Sequence, residues 1–163
     1  MKKLFLIRHA KSDWSTNLSD YYRPLNSRGL NDSPKMGKRI QILYGTPDII
    51  VSSGAKRALE TAQLFSKELK YDSASIQIND LLYHASANTI IDNINKIDDK
   101  YNYAMLFSHN PGISHTVHTL TDHNVELKTA CIALIEVNSN SWNDFKSGKC
   151  HLVTQFSPKD NLN

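Results

Sequence analysis

Apolar and polar positions along this chain follow two alternating rhythms. Residues 2–7, KKLFLI, carry four apolar side chains in a row, Leu4 to Ile7, the pattern of a strand buried on both faces. Residues 29–45, GLNDSPKMGKRIQILYG, change to helical spacing, with Met36, Ile40 and Leu43 on one face and Gly45 as the stop. DIIVSS is a second strand, and AKRALETAQLFSKELK is a helix carrying Ala58, Ala62, Phe65 and Leu69 at helical intervals. SIQI is a weak third strand, ANTIIDNINKI a helix with Ile90, Ile91, Ile94 and Ile97, and YAMLFS a fourth strand. GISHTVHTLT reads as a short helix; CIALIEV and HLVTQF then read as two strands around a polar loop, NSNSWNDFKSG. Strand and helix alternate over most of the length. The expected fold is therefore a single α/β domain over residues 1–163, with three α/β/α layers, a mostly parallel sheet and an antiparallel edge formed by the last two strands.

Composition fits that expectation. The 163 residues are 40% hydrophobic and 21% charged, enough for one core, and no repeat or low-complexity tract interrupts them. The net charge of +3 is spread along the chain among Asp and Glu, which suits anionic substrates and not a nucleic-acid partner, for which a concentrated basic face is needed. Arg8, His9 and Lys11 break the first apolar run too early for a signal segment or a membrane span, so the expected location is the cytoplasm. Cys131 and Cys150 have no metal-type spacing and read as reduced thiols.

What changes the picture is the chemistry at the strand ends. The first strand runs straight into Arg8 and His9, the second into Ser52, Ser53 and then Arg57, and the fourth into His109 of SHNPG. In an open α/β sheet, ligands bind beyond the carboxyl ends of the strands. Three strand ends thus bring two arginines and two histidines toward one rim. Arginine presents a planar fork matched to phosphate oxygens, and helix N-termini add oriented N–H groups. Such a pocket is a phosphoryl-transfer site in outline. Arg23, in YRPL, is either a further phosphate contact or a surface ion pair. Ser15 and Ser53 are either hydrogen-bond donors or turn and cap residues.

At these residues the chain resembles the histidine phosphatase superfamily, the phosphoglycerate mutase-like group marked by Arg-His-Gly after the first strand. RHAKSDW, RPLNSRG, SSGAKRALETA, LYHAS and SHNPGIS resemble, in that order, the SixA-type phosphohistidine phosphatases, which lack the inserted cap of larger relatives. The resemblance spans residues 2–137. It implies a phosphoglycerate mutase-like fold, His9 as the nucleophile that takes the phosphoryl group, and Arg8, Arg57 and His109 as ligands of its oxygens. It also implies no metal and no cofactor, and a phosphorylated protein or small molecule as partner. Ala10 stands where the superfamily has Gly; both are small, but a left-handed backbone there suits Ala less well.

Other phosphatase chemistries lack their signatures: there is no Cys-x5-Arg loop, no Walker loop and no Asp-x-Asp pair at a strand end. His115 and His118, three apart and followed by Asp122 and His123, imitate a zinc pair, yet a solvated helix face accounts for them equally well. His9 is expected to attack as the neutral imidazole and His109 to act protonated, its pKa raised by the phosphate dianion. Where larger relatives place an acid after the third strand, this chain has INDLLYHAS, with Asp80, Tyr83 and His84 the titratable residues; His84 is also a candidate substrate contact. An alkoxide leaving without a proton is costly, since water itself has a pKa of about 15.7, whereas imidazole, with a pKa of about 6.5, leaves readily. A site with a poor acid therefore favours phosphorus–nitrogen bonds. A small-molecule phosphomonoesterase, a phosphomutase and a non-catalytic phosphate- or phosphoprotein-binding module are the other readings.

Overall fold

The computed structural model describes residues 1–160; the last three residues of the expected 1–163 domain lie outside the described residues. Its strands are β1 (Lys2–Arg8), β2 (Ile49–Ser52), β3 (Gln77–Ile78), β4 (Tyr103–Ser108), β5 (Ile132–Val137) and β6 (His151–Phe156). Its helices are α1 (Ser27–Tyr44), α2 (Lys56–Glu68), α3 (Ala87–Asn95) and α4 (Gly112–Thr121). The sheet order is β3-β2-β4-β1-β5-β6. Strands β3, β2, β4 and β1 are mutually parallel, and β5 is antiparallel to both β1 and β6, so the antiparallel edge of the mostly parallel sheet is made as expected.

The apolar strand runs are continuous because each face of the sheet is covered. Leu4 and Leu6 of β1, Ile49 and Val51 of β2, and Ala104 and Leu106 of β4 pack into one core with Ile90, Ile94, Ile113 and Val117 of α3 and α4. Phe5, Ile7, Ile50, Met105 and Phe107, the alternate positions, form a second core with Met36, Ile40, Ala62 and Phe65 of α1 and α2. Successive side chains of a strand point to opposite faces, so one run of sequence feeds two cores. Lys2 is buried within this frame. Its ammonium donates to the carbonyls of Asp99 at 2.5 Å and Tyr101 at 2.8 Å and to Asn102 Oδ1 at 2.9 Å, which satisfies all three donors.

Helix α1 starts two residues earlier than its hydrophobic spacing indicates, because Asn26 Oδ1 accepts from the Gly29 N–H at 3.0 Å and caps the first turn. Gly45, at φ +76°, ends it. Leu43 does not face the core. Tyr44 takes that place, its ring edge-on to Phe5 and Phe156, and Leu43 is exposed. The weak third strand contracts to two residues on the sheet edge. The expected polar loop 138–148 is the larger departure: Trp142–Asp144 form a 3₁₀ turn, and Trp142 and Phe145 stack at 5.0 Å, both fully buried beneath α3. The Trp142 indole N–H donates to the Tyr101 carbonyl at 2.8 Å, so the buried ring leaves no orphan donor.

Candidate active site

The parallel strands carry their carboxyl ends to one rim, with Arg8 level with Ser108 and Ser52 level with Phe107. Strand β1 is followed by α1 on one face and the adjacent β4 by α4 on the other, so the two chain connections diverge and leave a crevice between them. A cavity of about 200 Å³ opens there, lined by Arg8, His9, Lys11, Ser12, Trp14, Arg23, Arg57, His84, His109, Asn110 and Thr129. A neighbouring hollow of about 300 Å³ continues along His84 to Ala87, Asn110 to Gly112 and His115, sharing His84, His109 and Asn110 with the first.

His9 is buried, and its ring Nδ1 lies 2.8 Å from the Ala10 carbonyl. A carbonyl only accepts, so Nδ1 carries the proton and Nε2 keeps its lone pair. Burial, assisted by the charges of Arg57, Arg8 and Arg23, pushes the His9 pKa down to about 3, which keeps the ring neutral. Ala10 is not in the left-handed region; its N–H donates to Thr61 Oγ1 at 3.0 Å, so alanine fits here without the glycine of the superfamily motif.

His109 stands beside His9, the ring centroids 5.2 Å apart. Its Nε2 is 2.8 Å from Ser53 Oγ, which itself accepts from the Ala55 N–H at 3.2 Å. With one lone pair of Ser53 Oγ already used, donating its hydroxyl hydrogen to Nε2 employs both of its roles, and in that tautomer the neutral ring carries its proton on Nδ1. Ser53 thus holds the turn that leads into α2 and contacts His109, but it does not cap the helix: the N-cap residue is Ala55, and no side chain bonds the first turn. Burial first, and then the neighbouring His9 ring and the Arg57 charge, lower the His109 pKa to about 3. The pocket itself therefore holds His109 neutral. The Asp20 carboxylate favours the protonated ring but does not outweigh burial, so a protonated His109 would need a further negative charge beside it.

The arginines are held from behind. Arg57, in the first turn of α2, donates through Nη1 to the Asp20 backbone carbonyl at 2.6 Å and through Nη2 to Asp20 Oδ2 at 3.0 Å. Arg23 is buried and donates to the Ser12 hydroxyl and to Asp20 Oδ1, the latter at 2.9 Å. Arg8, half-buried, donates to the Leu127 carbonyl at 3.2 Å. Arg8 Nε, Arg57 Nε and His109 Nδ1 are buried without a partner, and all three belong to residues lining the cavity. Buried donors are almost always paired, so these three are left with hydrogen-bonding capacity that the protein itself does not use.

Asp20 is the residue that strand-end reasoning missed. Besides the two arginines it accepts from the Tyr83 hydroxyl at 2.6 Å, and these bonds, Tyr83 first, hold its carboxyl far below the usual carboxylate range. The signal available in sequence was its place three residues before Arg23. Arg23 is thereby drawn into the cavity wall, not left as a surface pair. Ser15 is not brought to the cavity: it is exposed, and both its N–H and its hydroxyl bond Asp13 Oδ1. Asp80 also lies outside, accepting from the Tyr21 hydroxyl at 2.7 Å. His84 does line the cavity, at a left-handed φ of +54°, its ring tilted against that of Tyr83 and its Nε2 3.9 Å from Asp20 Oδ2. His115 and His118 are exposed on α4, and among the described residues no three His, Cys, Asp or Glu side chains gather to hold a metal. No helix of the described residues is long and apolar enough to cross a membrane.

Comparison with known proteins bears on family and fold. Residues 4–86 match the sequence pattern of the histidine phosphatase superfamily, branch 1. An uncharacterised chloroplast protein of Arabidopsis thaliana is 28% identical over 152 residues, covering 88% of this chain and 70% of that protein. An uncharacterised protein of Mycobacterium tuberculosis is 27% identical over 164 residues, covering 94% and 100%. Among solved structures, the protein histidine phosphatase SixA complexed with tungstate superposes with a TM-score of 0.83 at 19% identity, over 96% of this chain and 97% of that one. A phosphoserine phosphatase mutant of Entamoeba histolytica in complex with phosphoserine superposes with a TM-score of 0.68 at 16% identity, over 98% of each chain.

Proposed function

The chain belongs to the histidine phosphatase superfamily, and on that premise we propose that it hydrolyses phosphohistidine or a related phosphoramidate through a phosphoryl group carried on His9. The observation that carries this reading is a set of unpartnered buried nitrogens, Arg8 Nε, Arg57 Nε and His109 Nδ1, on residues that line one cavity with a neutral His9 whose Nε2 is free. Asp20 grips the outer edge of the Arg57 guanidinium, Nη1 and Nη2, which leaves the Nε edge for phosphoryl oxygens. In the first step the His9 Nε2 lone pair forms the new N–P bond in line while the phosphorus–nitrogen bond to the substrate breaks. The substrate ring, protonated beforehand, departs as neutral imidazole. Arginine N–H groups and His109 Nδ1–H meet the equatorial oxygens, where charge accumulates. Water then attacks the phosphorus of phospho-His9, its proton passes to solvent or to phosphate, and inorganic phosphate leaves.

Two features favour nitrogen as the leaving atom. Asp80, the carboxylate that the sequence offers as an acid, is tied to Tyr21 outside the cavity, and Asp20 is held ionised by its partners. The cavity also opens at the sheet rim, where a histidine borne on a protein surface has access. A second reading, a small-molecule phosphomonoesterase, is favoured by His84, the one imidazole at the mouth with a carboxylate 3.9 Å behind it. There His84 would protonate an alkoxide.

The test is acid-quench trapping with radiolabelled phosphoramidate. Wild type is expected to carry acid-labile phosphate that His9→Ala lacks; label retained in that variant overturns the assignment. A comparison of kcat/KM for phosphohistidine, aryl phosphates and alkyl phosphates, in wild type and His84→Ala, separates the two readings. An alkyl preference abolished in His84→Ala establishes the phosphomonoesterase.

A further inference from the structure

Trp14 lines the phosphate cavity and is nevertheless 73% exposed. One face of its indole is taken: the Arg23 guanidinium carbon sits 3.8 Å from the ring centroid. Arg23 is itself immobilised by Ser12 and Asp20, so the indole rests on a rigid base. The backbone on either side is pinned as well. Ser12 pairs with Leu25, the Asp13 N–H donates to the Pro24 carbonyl at 2.8 Å, and Ser15 turns back onto the Asp13 carboxylate. A large apolar ring held this firmly, with its outer face open at the mouth of an anion pocket, has no core to serve.

We propose that Trp14 is the platform on which a planar leaving group stacks, making it a specificity residue for phosphoryl groups attached to aromatic rings. This rests on the phosphatase reading above and narrows its substrate class to rings such as imidazole and phenol. A phosphoryl group seated among Arg8, Arg57 and His109 projects its leaving group toward the mouth, where Trp14 and His84 both line the wall. Offset stacking on an aromatic face tolerates any planar ring and gives nothing to a short alkyl chain or a bare amine. The Arg23 charge beneath the indole repels a second cation above it, so the platform suits the neutral imidazole that forms as the phosphorus–nitrogen bond breaks.

The test compares two pairs of substrates, phosphoimidazole against phosphoramidate and phenyl phosphate against ethyl phosphate. Each pair holds the type of bond to phosphorus fixed and varies the ring. In Trp14→Ala the ring-bearing over ringless ratio of kcat/KM is expected to fall about 5- to 10-fold in both pairs. Trp14→Phe should keep most of the ratio, and Trp14→Leu, apolar but not planar, should lose it. Ratios unchanged from wild type in Trp14→Ala and Trp14→Leu overturn the proposal.

A binding measurement decides the matter even if phosphorus–nitrogen hydrolysis is not found. The chain has two tryptophans, and the other, Trp142, is fully buried. Phenylphosphonate should quench wild-type fluorescence and bind about 5- to 10-fold more tightly than methylphosphonate, with the quench absent in Trp14→Phe. Equal affinity for the two phosphonates refutes the platform; tight phenylphosphonate binding without phosphoramidate turnover refutes only the catalytic reading.

Discussion

Lowering the pH from 8 to 5 should destabilise this protein through two specific rings. His9 and His109 have folded-state pKa values pushed down to about 3 by burial and by the surrounding cations, whereas both titrate near 6.5 once unfolded. Below pH 6.5 the unfolded chain therefore takes up protons that the folded chain refuses. Stability falls as pH drops from 6.5 toward 3, and above 6.5 neither ring contributes to pH dependence. At pH 5 each ring costs about 2 kcal/mol, so the pair costs about 4 kcal/mol relative to pH 8. The two rings depress each other's protonation, but at pH 5 neither is charged in the folded state, so the sum stands. The measurement is urea unfolding at pH 8 and pH 5 in wild type and in the His9→Gln/His109→Gln double variant. With a slope of about 2 kcal/mol per molar urea, the wild-type midpoint should drop roughly 2 M further than that of the variant. The five other histidines cancel in the comparison. Parallel losses in the two proteins would show that the rings titrate normally in the fold, and a nucleophile kept neutral by burial would be ruled out with them.

Arg57→Lys keeps the charge but loses the paired bonds to Asp20 and the free Nε, so kcat/KM for phosphoramidate should fall about 100-fold; wild-type turnover in this variant contradicts the clamp. Gly29→Ala places a Cβ 2.2 Å from the Lys11 carbonyl oxygen, where backbone meets backbone, and should cost about 2–3 kcal/mol in denaturant unfolding. Trp142→Ala removes a fully buried ring stacked on Phe145 and should cost about 3–5 kcal/mol by the same measurement. Because the proposed step needs only side chains, activity should survive EDTA; loss on chelation with recovery on adding zinc overturns that step as written.

Local patterning was enough for most of the frame. YAMLFS and GISHTVHTLT became elements with those boundaries, because a strand covered on both faces must be apolar throughout and a surface helix must repeat at 3.6 residues; HLVTQF did so as a largely exposed edge strand. Arg8, His9, Arg57 and His109 could be expected on one rim for a related reason: parallel strands align their carboxyl ends, so topology carries the residues after each strand to the same side of the sheet. Isolated residues in irregular segments carry no such periodicity. Trp142 and Phe145 were unreadable within a polar loop, and Leu43 lost its place to Tyr44 only because the Phe5 and Phe156 rings lie beside that turn. Asp20 illustrates the limit most clearly. Its partners Arg57 and Tyr83 are 37 and 63 residues away, and the same side chain on an exposed loop without them would be an ordinary solvated carboxylate. Trp14 likewise acquires its meaning from Arg23 beneath it and the cavity beside it. The sequence alone thus decided the layers, the strand directions and the residues delivered to the rim. The tertiary structure decided which of them are neutral, which donors remain unpaired and which neighbours hold them, since burial and long-range hydrogen bonds exist only once the chain is closed.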